Sequence, residues 1–128
     1  MSHLPKVSVI IPSYNRARQL KATLSSVFAQ TLPPFEVFLV DDGSTDDTAE
    51  VLTAFKREFA DWGHRLRNIH QENQGKSVAL NRGLQDAGGD WIAFNDSDDL
   101  WHKEKLSLQF DALRQFPDCG GCFSDADL

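Results

Sequence analysis

Three aspartates crowd into four consecutive positions at Asp96, Asp98 and Asp99. In an extended segment the side chains of residues i and i+2 point the same way, so Asp96 and Asp98 can face one ligand together. Carboxylates this close repel one another unless a cation or an array of donors offsets them. A hard divalent ion, Mn2+ or Mg2+, meets that need. It takes one or two carboxylates, and water and phosphate oxygens complete its shell. An acidic turn that caps the following helix meets it equally well, because Asp is favoured at N-caps and in first turns. The cluster alone leaves both readings open.

The elements that must position these acids follow from hydrophobic patterning. Residues 6–11 are β-branched and apolar and stop at Pro12, which reads as a buried strand. Leu20, Leu24, Val27 and Phe28 form one stripe of a helix over about residues 16–30. Residues 35–40 form a second strand that runs into Asp41, Asp42 and Gly43. Ser44 or Thr45 is then expected to cap a helix whose apolar face is Val51, Leu52, Phe55 and Phe59, ending near residues 61–63. Residues 66–70 make a weaker third strand. Ser77 is expected to cap a third helix carrying Leu80, Leu84 and Ala87 on one face, closed by Gly88 and Gly89. Trp91, Ile92, Ala93 and Phe94 read as a buried fourth strand, followed by a helix over about residues 102–116. A fifth strand is expected to start over residues 119–123. This β-α alternation predicts an α/β fold, a Rossmann-like, mostly parallel sheet with helices on both faces. Ligands of such sheets bind beyond the carboxyl ends of the strands, near the point where strand order reverses.

The unusual polar residues collect at those ends. Pro12, Ser13, Tyr14 and Asn15 follow the first strand, Asp41 and Asp42 the second. Asn73, Gln74, Gly75 and Lys76 follow the third, and the aspartate cluster follows the fourth. This convergence favours a binding site over a cap. Two carboxylates suit a metal ion, Asp42 can accept from a base N–H or a ribose hydroxyl, and Lys76 can reach a phosphate. Together they suit a metal-bound nucleotide diphosphate. No G-x-G-x-x-G follows the first strand and no G-x-x-x-x-G-K-[ST] occurs. Without a phosphate-binding glycine loop, the metal must carry most of the diphosphate charge.

The totals fit. The 128 residues make one domain or part of one, 41% of them are hydrophobic, and 25% are charged. A net charge of −6 argues against a nucleic-acid partner. No apolar run is long enough to span a bilayer and the N-terminus carries no apolar signal region, so a cytoplasmic protein with no membrane segment is expected. Cys119 and Cys122 form a single pair, which reads as two small residues of a reduced intracellular chain. His3, His64, His70 and His102 show no metal-ligand spacing. Arg16 and Arg18 flank the first helix start and read as a solvated face, with a phosphate role as the alternative. Trp62 and Trp101 read as apolar anchors, with a wall of the sugar pocket as the alternative for Trp101.

Residues 7–15, 40–46, 73–77 and 89–99, in that order and spacing, resemble the family 2 inverting glycosyltransferases of GT-A fold. The resemblance runs from about Lys6 to Leu113. It implies a nucleotide-sugar donor, most often UDP-linked, and Mn2+ or Mg2+ bound through the D-x-D motif Asp96-Ser97-Asp98. It makes Asp98 the direct metal ligand, with Asp96 at the metal shell or ribose and Asp99 beside the donor sugar. Asp42 would accept from the base, and Pro12 and Tyr14 would lie along base and ribose. Asn15, Asp41, Gly75, Lys76 and Ser97 complete the expected donor site. The reaction implied is direct displacement at the anomeric carbon, with a carboxylate base acting on a sugar, glycan or lipid-linked acceptor. Leu80, where an arginine is common, and Lys103, where a proline is frequent, depart from the family pattern. Family members run longer, so residues 1–128 are expected to be the nucleotide-sugar-binding portion of a GT-A domain. The acceptor-binding half would then be absent and the catalytic base would lie beyond residue 128. A catalytically incomplete nucleotide-sugar binding module is the alternative, and an open sheet edge makes a homodimer a further expectation.

Overall fold

The computed structural model describes residues 4–121. Four strands are present: β1 (Val7–Ser13), β2 (Glu36–Asp41), β3 (Leu66–His70) and β4 (Trp91–Phe94). They form one sheet in the order β3-β2-β1-β4, every pairing parallel. Five helices connect or follow them: α1 (Ala17–Phe28), α2 (Thr48–Glu58), α3 (Ala60–Gly63), α4 (Lys76–Asp86) and α5 (Lys105–Gln115).

The alternation of side chains along each strand assigns the helices to layers. Val7, Val9 and Ile11 of β1 face a core filled by Leu20 and Leu24 of α1, Leu52 and Phe55 of α2, and Leu106 and Phe110 of α5. Ile10, Phe38 and Val40 face the other way, toward Ala79 of α4. Helices therefore cover both faces of a parallel sheet, as the β-α alternation predicts. Phe28, Phe55, Phe59 and Trp62 stack against one another at the outer margin of the first layer, with ring centroids 4.9–6.2 Å apart. Trp101 packs on the same core.

Four expectations need correction. Of the expected α4 face, Leu80 and Ala87 pack partly buried against the sheet, but Leu84 is exposed and the buried positions are Ala79 and Gly83. The helix lies so close to β1 that a Cβ on Gly83 would stand 2.7 Å from Ile10 Cγ2, which selects small residues there over the larger leucine. The helix also starts at Lys76 with Gly75 as N-cap at φ 100°, not with a Ser77 cap. At α2 the N-cap is Asp47 rather than Ser44 or Thr45, and the Oδ1 of Asp46 just before it accepts the Thr48 N–H at 3.1 Å. Finally, β4 is not buried. It pairs only with β1, and Ile92 and Phe94 are exposed on the α4 face. Within the described residues β4 is a sheet edge, the feature from which a homodimer is expected.

Smaller differences concern element ends. The helix expected to run to residues 61–63 breaks at Phe59 into α2 and α3. Residues 119–121 lie in no strand, and Cys122 and Phe123 of the expected fifth strand are outside the described residues, as is His3.

Candidate functional site

The chain passes from β1 to β2 to β3 on one side, then returns to the other side of β1 as β4. Strand order thus reverses between β1 and β4, and the crevice beyond their carboxyl ends is the expected ligand position. The 13–16 and 95–99 segments border it directly. The loop after β3 joins them through Lys76.

Asp96 is reached by Lys76, with Nζ 2.7 Å from Oδ1, and Asp98 by Arg16, with Nε 3.9 Å from Oδ2. Both carboxylates are about half exposed, each 49% by side chain. Arg16, read from sequence as a solvated face with a phosphate role as the alternative, is therefore a neighbour of the acidic turn. The signal was its place three residues after the end of β1. Asp99 is exposed, and its N–H donates to the Asp96 carbonyl at 3.1 Å, closing the turn. Ser97 is buried beneath this turn, where its carbonyl accepts from Thr23 Oγ1 of α1 at 2.9 Å. Gln30, two residues past the end of α1, donates to the His102 carbonyl and accepts from the Leu106 N–H. α1 and the residues just after it thus hold the acidic turn and the segment that follows it. Sequence reading gave neither Thr23 nor Gln30 a role, because a polar residue carries no sign of its distant partner.

Asp42 anchors the opposite wall. It is 7% exposed, and its carboxylate accepts from Gln71 Nε2 at 2.8 Å, the Gln74 N–H at 2.8 Å and the Gly75 N–H at 3.0 Å. Burial alone would raise its pKa, but these three donors outweigh burial and hold it below the ordinary carboxylate value. A carboxylate has about four acceptor positions, so one remains for a ligand. Asp41 points into the fold, bound by the Ser44 N–H at 3.1 Å and by His70 Nδ1 at 3.3 Å.

Asn15 adopts φ 53° and links the first two strand ends. Its Oδ1 accepts the Thr45 N–H at 2.8 Å, and its own N–H donates to Ser44 Oγ at 2.9 Å. Tyr14 is 43% exposed beside it, and Pro12 is half-buried. Ser13 and Asn95, the residues ending β1 and following β4, are both buried, and Ser13 Oγ and the Asn95 side-chain amide have no hydrogen-bond partner.

Among the described residues no three His, Cys, Asp or Glu side chains gather as a closed metal site. Mn2+ and Mg2+ do not require one, since one or two carboxylates suffice when water and phosphate oxygens supply the rest. Asp96 and Asp98, half exposed and each beside an exposed side-chain cation, fit that donor set.

Comparison with known proteins agrees with this geometry. The family model described as "Glycosyl transferase family 2" matches residues 8–125. An uncharacterized glycosyltransferase of Rickettsia felis is 42% identical over 113 residues, which are 88% of this chain and 18% of that protein. The mannosyltransferase PcManGT of Pyrobaculum calidifontis, solved in complex with GDP-Man and Mn2+, superposes with a TM-score of 0.80 at 31% identity, covering 88% of this chain and 33% of that one. S. aureus TarS in complex with UDP-GlcNAc superposes with a TM-score of 0.73 at 32% identity, covering 86% of this chain and 31% of that one. The chain thus spans less than half the length of each of these proteins.

Proposed function

The chain belongs to glycosyl transferase family 2, and from that premise we propose that residues 1–128 form the donor-binding part of a glycosyltransferase acting on a nucleotide-diphosphate sugar, most simply a UDP-sugar. The observation that carries this reading is the meeting of Lys76 and Asp96 at 2.7 Å across two strand ends, at the crevice where strand order reverses. It puts acidic and basic groups together where a metal and a diphosphate need both signs of charge.

In this reading Asp98 and Asp96 hold Mn2+ or Mg2+, which as a Lewis acid stabilises the departing diphosphate of an inverting displacement. Lys76 meets a phosphate oxygen. The remaining acceptor position of Asp42 takes a donor from the base, with Tyr14 and Pro12 along base and ribose. Asp99 stands beside the donor sugar. Asn15, Asp41, Gly75 and Ser97 act mainly by holding these groups: Asn15 and Asp41 brace the first two strand ends, Gly75 starts α4, and Ser97 ties the acidic turn to α1. A sugar, glycan or lipid-linked acceptor and a catalytic base beyond residue 128 belong to the same proposal, as does action in the cytoplasm. No helix of the described residues is long and apolar enough to cross a membrane.

A nucleotide-sugar binding module without transfer is the second reading. Titrating the chain with UDP, GDP and ADP in Mn2+ tests the donor-site reading, and UDP binding tightest is the expected result. Failure of all three nucleotides to bind would overturn it. Sugar release from a bound UDP-sugar to acceptor by the chain alone would remove the second reading.

A further inference from the structure

The cations beside the acidic turn come from outside it. Lys76 sits at the first position of α4, directly after Gly75, and its side chain is 62% exposed. Its ammonium group nevertheless lies within hydrogen-bond distance of Asp96 Oδ1. Arg16 lies farther from Asp98, at 3.9 Å. The Asp96 carboxylate thus has a cation of the chain itself as its neighbour. A lysine is suited to such a post. It is a compact charge on a flexible four-carbon stem with three rotatable donors, so it can change partner without moving the backbone. An exposed pair of this kind is weak and screened, hence readily exchanged.

We propose that Lys76 is a resident counter-ion of Asp96 that changes partner, leaving the carboxylate when a divalent ion binds there and passing to the nucleotide diphosphate. The proposal rests on the reading of this crevice as a metal-dependent donor site. A divalent ion at Asp96 would compete with the ammonium group for the carboxylate and would repel Nζ close by. The displaced ammonium then needs an anion, and the diphosphate supplies one within the same crevice. Lys76 therefore opposes metal binding in the empty protein and favours nucleotide binding in the metal-loaded one. The two ligands become coupled through one side chain, and by linkage each strengthens the other equally.

The test measures Mn2+ affinity from the electron paramagnetic resonance signal of free Mn2+, with and without UDP, on the full chain and on Lys76→Gln and Lys76→Arg. Without nucleotide, Lys76→Gln is expected to bind Mn2+ about two- to fivefold more tightly, the range set by loss of an exposed ion pair. In saturating Mn2+ the same variant is expected to bind UDP at least about fivefold more weakly. Lys76→Arg is expected to stay near the parent in both. Opposite signs in one variant separate partner exchange from a merely structural role, which would weaken both. If the parent binds Mn2+ and UDP but Lys76→Gln binds Mn2+ no more tightly, the exchange is overturned and the donor site stands. If the parent binds neither, the donor-site reading falls and the exchange with it.

Discussion

Asp42 Oδ2 accepts the backbone N–H of Gly75 at 3.0 Å, which ties the end of β2 to the N-cap of α4. Through this bond, and those from Gln71 and Gln74 to the same carboxylate, one side chain sets the course of the loop from which Lys76 emerges. Asp42 is thus a support of the site as well as a candidate contact for the base.

That double role gives a pH dependence. The folded-state pKa of Asp42 lies below its ordinary value of 3.8, so its contribution to stability is present above that value and is lost as pH falls through the folded pKa. Thermal melting of the parent and of Asp42→Asn should show a gap at neutral pH that closes below about pH 4. A gap independent of pH would mean that charge plays no part in holding the loop.

Thr23 should govern the acidic turn from beneath. Thr23→Val keeps the shape and removes the donor to the Ser97 carbonyl, a buried bond whose loss costs about 1–3 kcal/mol. Mn2+ affinity is expected to fall severalfold, with Thr23→Ser restoring it. Calorimetric titration of both variants checks this, and unchanged metal affinity in Thr23→Val would separate the turn's geometry from α1.

Gly83 should tolerate no side chain. Alanine is the better helix former by about 1 kcal/mol, but its Cβ would stand 2.7 Å from the fully buried Ile10. Overpacking of this kind costs about 1–3 kcal/mol. Urea denaturation of Gly83→Ala should therefore show a net loss of stability of about 1 kcal/mol, and a gain would mean that α4 rides farther from the sheet.

Strands and helices were legible because buried strands and helix stripes have different periods, as in residues 6–11 against Leu20, Leu24 and Val27. The strand ends that gather at the crevice were legible for the same reason, since topology alone brings them together. What was not legible depends on distance between helix and sheet or on partners far apart in sequence. Leu84 fits the helical stripe expected to be buried, yet Ala79 and Gly83 take that place because α4 packs close. Glu36 is a buried acid in a mostly apolar strand. Its Oε2 accepts from Ser8 Oγ at 2.7 Å and the Gly88 N–H at 2.6 Å, which clamps the turn before β4 to the sheet. Ile92 and Phe94 are exposed on the strand that forms the sheet edge among the described residues, which periodicity does not reveal.

The central claim is that Asp98 and Asp96 hold a divalent ion on which nucleotide binding depends. Calorimetric titration with UDP, with and without Mn2+, on the parent and on Asp98→Ala tests it most directly. Mn2+ should tighten UDP binding to the parent at least about tenfold, equivalent to about 1.4 kcal/mol, and should do little for Asp98→Ala. Equal UDP affinity in all four titrations would contradict the account.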